Sequence, residues 1–259
     1  MPLAVYLGFT LLVQALAAGI YLLHITGYRE GLDSFLTVNA VGMQTIAAVP
    51  TALILGRLYS RDRQGMPRKH FPGRIWSLPI LLGIFLSLGG NILLNVLIDT
   101  QKSEAFAQTE EKLFSGPYAV QLLGIVLIIP ICEEYIFRGS IYRCLRKWAR
   151  PLPSALLSSL FFALFHGNLP QGVYAFILGL FLAAFYERFG GVLAPILIHI
   201  SANLASMLLA SYLSTADISQ GRVIAAGLLF CVLAVLIFAA GCRLARSQKD
   251  AADGESVEK

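Results

Sequence analysis

The chain carries little charge for its length: 14% of its 259 residues are charged, whereas 57% are hydrophobic, and the mean hydropathy is +0.71. So small a charged fraction excludes an ordinary soluble domain, and the chain is too long to be a single membrane anchor. We therefore predict an all-α polytopic membrane protein, since helices satisfy their own backbone hydrogen bonds inside a bilayer.

Several other features are missing. The four cysteines have no C-x-x-C spacing and stand in or beside apolar stretches, so neither a disulfide framework nor a thiolate zinc site is indicated. The first apolar segment lacks the basic start and the cleavage site of a signal peptide. Although the net charge is +5, the basic residues cluster in short loops between apolar stretches, where membrane orientation explains them better than nucleic-acid binding does.

About eight transmembrane helices can be drawn from stretches of about 20 apolar residues. They cover 3–25, 35–57, 75–98, 118–142, 153–168, 171–187, 191–213 and 221–243. The fifth and sixth are short and are joined by an uncharged turn, so a re-entrant hairpin is an alternative to two crossings. We expect one integral membrane domain over 1–246, followed by a disordered cytoplasmic tail over 247–259.

Lysine and arginine counts orient these spans. Loop 57–74 holds six, loop 138–150 five, loop 187–191 one and the C-terminal tail four. The alternate loops hold Arg29, Lys102, Lys112 and Arg222. By the positive-inside rule the first set and both termini lie in the cytoplasm, and we expect a multi-pass protein of a bacterial cell membrane.

Two adjacent carboxylates, Glu133 and Glu134, stand inside the fourth apolar span. Each costs roughly 2.5–3.5 kcal/mol at the centre of a bilayer on insertion scales, so their presence needs a reason. We take that reason to be catalysis. The competing interpretation is a structural ion-pair cluster with Arg138, which follows Glu134 by one helical turn.

Polar groups on two later helices are expected at the same depth. Glu133 and His166 are equidistant from the turn at 149–151, so an antiparallel hairpin brings them level. Glu133 lies roughly 15 Å and His199 roughly 13 Å from the basic interface, and Asn203 shares the helix face of His199. Pro130 is expected to free a backbone carbonyl just before the carboxylates. These groups predict a polar cavity inside the helix bundle.

Such a cavity can activate water. A carboxylate beside an imidazole can act as general base to a water molecule, while a second imidazole and an amide stabilise the oxyanion. Alternatively, Glu133, His166 and His199 could hold a zinc ion that carries this water. The residue pattern is compatible with both mechanisms, the water activated by a carboxylate and the water bound to zinc.

At these positions the sequence resembles the CAAX protease and bacteriocin-processing family of intramembrane endopeptidases, also called the ABI family. The segments Glu133-Glu134-x-x-x-Arg138, Phe162-x-x-x-His166 and His199-x-x-x-Asn203 are similar to its three motifs, in order, across about residues 118–210. The signatures of other intramembrane proteases, H-E-x-x-H, G-x-G-D and G-x-S-G, are absent from the sequence.

The resemblance implies peptide-bond hydrolysis at a cavity open to the cytoplasm. It implies that Glu133 is the base and that Glu134 and Arg138 support it. His166 would position water or bind metal, and His199 with Asn203 would supply the oxyanion or second-histidine contribution. Phe162 would serve packing.

The expected substrate is a peptide or protein tail delivered from the lipid bilayer, with or without a lipid anchor: a CAAX-type tail, or a bacteriocin, pheromone or leader peptide. A non-enzymatic alternative is a membrane scaffold or immunity protein that binds a peptide or partner in the same cavity and cleaves nothing. A transporter is less favoured, since the charged residues converge at one depth and do not line a pathway across the membrane.

Overall fold

The computed structural model is helical through most of the residues that it describes, which are 2–24, 31–64, 71–97, 103–213 and 219–257. We number the helices α1 (Pro2–His24), α2 (Leu32–Val38), α3 (Ala40–Asp62), α4 (Ser77–Leu97), α5 (Glu104–Phe114), α6 (Tyr118–Leu145), α7 (Pro151–Phe165), α8 (Leu169–Phe189), α9 (Leu193–Leu213) and α10 (Gln220–Val257). A 3₁₀ turn at Gly73–Trp76 leads into α4. The predicted all-α class is confirmed.

Within this described part of the chain, seven helices are long and apolar enough to cross a membrane: α1, α3, α4 with its 3₁₀ turn, α6, α8, α9 and the first part of α10. Helix α7 is apolar but has 15 residues. Its length of about 22 Å falls short of a hydrocarbon core of about 30 Å. The expected set of about eight spans is therefore seven long helices and one short one, and the short one is the fifth.

Helices α7 and α8 pack together as a hairpin. At the turn between them, the Asn168 side-chain amide donates to the Thr109 hydroxyl of α5 at 3.3 Å. At the other end, the Tyr142 hydroxyl of α6 donates to Glu187 of α8 at 2.9 Å. The hairpin thus extends from the basic turn after α6 to the level of α5 and back.

Three of the basic loops meet at one end of the bundle. Arg143 pairs with Asp62 at 3.2 Å, and Arg63 donates to the carbonyl of Gly190. The segments that follow α3, α6 and α8 are therefore neighbours, as the lysine and arginine counts predict. Their cytoplasmic location stays a prediction. Five of the counted residues lie outside the described part of the chain: Arg29, Arg68, Lys69, Lys102 and Lys259.

Helix α4 lies between α9 and α10 and holds α9 closely. A Cβ atom on Gly83 would lie 2.2 Å from the carbonyl oxygen of Ile198, so only glycine allows the two backbones to approach this far. Ile198 directly precedes His199, which is a candidate site residue. This contact therefore fixes the depth of α9 at His199.

Helix α10 runs unbroken from Gln220 to Val257, through residue 246 where we expect the membrane domain to end. The backbone of 247–257 is thus helical where a disordered tail is predicted. Its Ala, Lys and Glu residues are good helix formers, and extending an existing helix needs no new nucleus. The domain boundary itself stays a prediction.

Candidate active site

The helix that carries the carboxylates is irregular just before them. Residues Leu122–Ile128 of α6 form a π-helical stretch in which the N–H of Ile129 donates to the carbonyl of Gly124, five residues earlier. The next bond of this register would join the carbonyl of Ile125 to the N–H of residue 130, but that residue is Pro130 and has no N–H. The carbonyl of Ile125 is therefore freed, as the sequence predicts.

Asn203 of α9 is the hydrogen-bond partner of this freed carbonyl. Its side-chain amide donates to the carbonyl oxygen of Ile125 at 2.8 Å. The structure thus brings Asn203 to the π-helical stretch about two turns before the carboxylates, and this hydrogen bond ties α9 to α6. It satisfies a backbone acceptor that would otherwise be unpaired inside the bundle.

Glu134 forms the centre of a buried charge cluster. Its Oε1 accepts from Nη1 of Arg138 at 3.0 Å and from Nδ1 of His199 at 2.9 Å. Both Glu134 and Arg138 are fully buried. The ion pair one turn apart, expected from the helical period, is present, and it also connects α6 to α9.

Arg138 is held from a third helix as well. Its Nη2 donates to the carbonyl of Gly179 on α8 at 3.2 Å. A Cβ atom on Gly179 would lie 3.1 Å from this Nη2 atom and 2.8 Å from the hydroxyl oxygen of Ser159. Glycine at 179 is therefore what lets the backbone of α8 reach the guanidinium.

Glu133 points to the other side of the same imidazole. Its Oε2 lies 3.6 Å from Nε2 of His199, which is longer than a good hydrogen bond. Its side chain is 11% exposed, whereas that of Glu134 is fully buried. Of the two carboxylates, Glu133 is thus the one that a water molecule or a substrate can reach.

The proton positions around His199 follow from its neighbours. The ring places one nitrogen against each carboxylate, and a carboxylate can only accept. Nδ1 therefore donates to Glu134, and Nε2 faces Glu133 at 3.6 Å; a second ring proton would lie on this nitrogen. With a proton on both ring nitrogens of His199, the cluster of Glu133, Glu134, Arg138 and His199 holds two positive and two negative charges, which makes its burial tolerable.

His166, which directly follows the last residue of α7, packs against the ring of Phe162, as His199 also does. Its Nδ1 lies 2.8 Å from the carbonyl of Phe162. Since a carbonyl can only accept, Nδ1 carries the proton and Nε2 keeps its lone pair. His166 makes no ion pair with a carboxylate of the described residues, but it is within electrostatic range of Glu133 and His199.

Phe162 is the common neighbour of these groups. Its ring centroid lies 4.8 Å from that of His166 and 5.6 Å from that of His199, both edge-on, and Cζ of Arg138 is 4.6 Å from the same centroid. Phe162 is fully buried, so it packs as expected. It also orients both imidazoles, through edge-to-face contacts, and adds a cation–π contact to Arg138.

One neighbour of the site has no signal in the sequence. Tyr6 is the one buried residue among the described residues of α1, and its ring packs against Phe165 at 5.9 Å. Phe165 in turn packs against Phe137 beside the charge cluster, at 5.8 Å. A single tyrosine in an apolar helix gives no pattern from which this position could be found.

The residues do not fit a zinc ligand set in this arrangement. Among the described residues, no group of three or more histidine, cysteine, aspartate or glutamate side chains is placed to hold a metal ion. The zinc site stays a prediction from the sequence.

The fold and the buried charge cluster place the protein among polytopic membrane proteins with an ionisable site inside the bundle. Residues 115–205 match the family model described as type II CAAX prenyl endopeptidase Rce1-like. This segment includes all six candidate residues. The match is confined to residues 115–205, and over this segment it supports the predicted CAAX protease family.

A curated relative matches part of the chain. It is a 24.3 kDa protein of Escherichia coli, described as uncharacterized, to which the chain is 34% identical over 93 residues. The match covers 34% of this chain and 42% of the Escherichia coli protein, so the chain spans less than half the length of that relative. No solved structure matches this chain.

Proposed function

We propose that this protein is an intramembrane endopeptidase that hydrolyses a peptide bond of a membrane-delivered substrate, with Glu133 as the general base. The observation that carries the proposal is the contact of His199 with both carboxylates, beside the accessible side chain of Glu133. All three of these residues lie in the segment that matches the Rce1-like family model. The substrate is a peptide or protein tail presented from the bilayer, of the CAAX type or a leader, pheromone or bacteriocin peptide.

In this reaction Glu133 takes a proton from water, and the resulting hydroxide forms a bond to the carbonyl carbon of the substrate. Nε2 of His166 has a free lone pair and accepts a hydrogen bond from the same water, which orients it. The protonated Nε2 of His199 stabilises the negative charge that develops on the carbonyl oxygen. When the carbon–nitrogen bond breaks, Glu133 returns its proton to the leaving amine.

Glu134 and Arg138 act through His199 in this mechanism. Glu134 accepts from Nδ1 of His199, which orients the ring with Nε2 toward Glu133. Arg138 neutralises Glu134 and is itself held by the carbonyl of Gly179. These hydrogen bonds therefore set the rotation of the imidazole.

The test is turnover of a panel of membrane-anchored peptides by the purified protein. Glu133→Gln keeps the size of the side chain but cannot accept the proton of water, and we expect at least a hundredfold loss of turnover, within the usual contribution of a general base. Glu111→Gln makes the same change on the exposed surface of α5 and should leave turnover unchanged.

Full turnover by a folded Glu133→Gln protein contradicts the proposal. Binding of peptides with no turnover by the wild type, and a biological phenotype that persists in Glu133→Gln, would instead favour the scaffold or immunity function. A zinc chelator in parallel reactions tests the metal version, since the mechanism above predicts no loss of turnover.

A further inference from the structure

A groove on the outside of the bundle is lined by residues that have no part in the proposed reaction. It lies between α3 and α6 and has a volume of about 600 Å³. Along α3 its lining extends from Val49 to Arg61, a length of about 18 Å, and it continues to Gln64 just after the helix. The groove therefore runs along the direction of the spanning helices over much of one bilayer thickness.

The two ends of this groove differ in polarity. One end is lined by aliphatic side chains, among them Val49, Leu53, Ile128 and Ile131. The other is lined by Arg57 and Arg61. A groove that is aliphatic at one end and cationic at the other matches an amphiphile with an apolar chain and an anionic head.

The two arginines of the groove take no part in the ion pairs among the residues that the structure describes. They are one turn apart on the same face of α3, and neither makes an ion pair with a residue that the structure describes. Their neighbours are engaged: Arg63 donates to Tyr59 and to the carbonyl of Gly190, and Arg143 pairs with Asp62. Since Arg57 and Arg61 lie at the basic end of the bundle, they stand at the level of lipid head groups when the helices cross the bilayer.

The floor of the groove is shaped at Gly56. A Cβ atom there would lie 3.3 Å from the ring of Tyr135 on α6, so the glycine leaves α3 and α6 close together below the groove. The walls above this contact are exposed: Leu53 is 58% exposed. An acyl chain would cover these aliphatic side chains.

We infer that this groove is a binding site for an anionic phospholipid, with the phosphate at Arg57 and Arg61 and an acyl chain along Leu53 and Ile131. Guanidinium groups bind phosphate oxygens through paired hydrogen bonds, and a zwitterionic head group would bring a positive charge of its own to the same place. Charge complementarity thus selects the anionic lipid over the zwitterionic one.

The test is lipid binding by the full chain in detergent, measured by native mass spectrometry. Phosphatidylglycerol and phosphatidylcholine with identical acyl chains are titrated separately, and inorganic phosphate is titrated as a third probe. Two basic residues near an anionic membrane surface together contribute a factor of about thirty. We expect Arg57→Gln/Arg61→Gln to lose about that factor for phosphatidylglycerol and to leave phosphatidylcholine unchanged.

Two further variants separate this site from general charge and from misfolding. Arg74→Gln/Arg150→Gln removes the same charge at exposed positions outside the groove and should bind phosphatidylglycerol as the wild type does. Leu53→Trp fills the groove without changing any charge and should weaken phosphatidylglycerol binding. Because the readout is binding, these results are independent of peptidase activity.

Equal affinity of the wild type for the two lipids overturns the inference, as does an equal loss in the Arg74→Gln/Arg150→Gln control. Inorganic phosphate bound as tightly as phosphatidylglycerol would make this an anion site without a lipid, which also overturns it. Unchanged phosphatidylglycerol binding by Leu53→Trp would place the lipid elsewhere.

Discussion

Removing Glu134 should destabilise the protein far more than its single side chain suggests. The change Glu134→Ala leaves the guanidinium of Arg138 buried without its anion, and it also removes the acceptor for Nδ1 of His199. Breaking a fully buried pair by deleting one partner costs about 3–5 kcal/mol, mainly because an unpaired charge remains. The attraction at 3.0 Å is about 5–6 kcal/mol at an effective dielectric constant near 20, which leaves room for a loss of this size.

The matched double variant isolates the cause. In Glu134→Ala/Arg138→Met no unpaired guanidinium remains, so the double variant should be more stable than Glu134→Ala alone, by at least about 1 kcal/mol. The assay is unfolding of the purified protein in mixed micelles, followed by circular dichroism as denaturing detergent is added. Wild type and variants are compared in the same micelles.

An exposed pair provides the control. Arg143 and Asp62 lie 3.2 Å apart, but their side chains are 19% and 58% exposed. Asp62→Ala should therefore cost no more than about 1 kcal/mol. The reasoning that burial makes this ion pair important for stability would be refuted by either of two results. One is a loss below about 1 kcal/mol in unfolding free energy for Glu134→Ala, and the other is a double variant that is less stable than Glu134→Ala.

Two further predictions concern the contacts that hold the site from α8 and α9. Asn203→Leu leaves the carbonyl of Ile125 unpaired, so we expect a loss of about 1–3 kcal/mol in unfolding free energy. In a Pro130→Ala background the restored backbone N–H can take that acceptor, and the same substitution should cost less; an equal cost would contradict this role of Asn203. Gly179→Ala places a methyl group 2.8 Å from the hydroxyl of Ser159 and should cost about 1–3 kcal/mol, whereas an unchanged unfolding midpoint would show that α8 can move away.

Most features that lie along a single helix could be predicted from the sequence. The pairing of Glu134 with Arg138 follows from the helical period, and the freed carbonyl follows from the missing N–H of Pro130. The grouping of the basic loops follows from their alternation along the chain. These properties depend on spacing and on covalent structure, which the sequence contains in full.

Contacts between helices depended on the tertiary structure. The sequence places His199 and Asn203 on one helix face, but the rotation and depth of α9 decide that His199 meets both carboxylates while Asn203 reaches the carbonyl of Ile125. Likewise, the burial of Tyr6 comes from packing against neighbours. Helix rotation and side-chain direction are set by many small contacts with other helices, and no pattern within one segment records them.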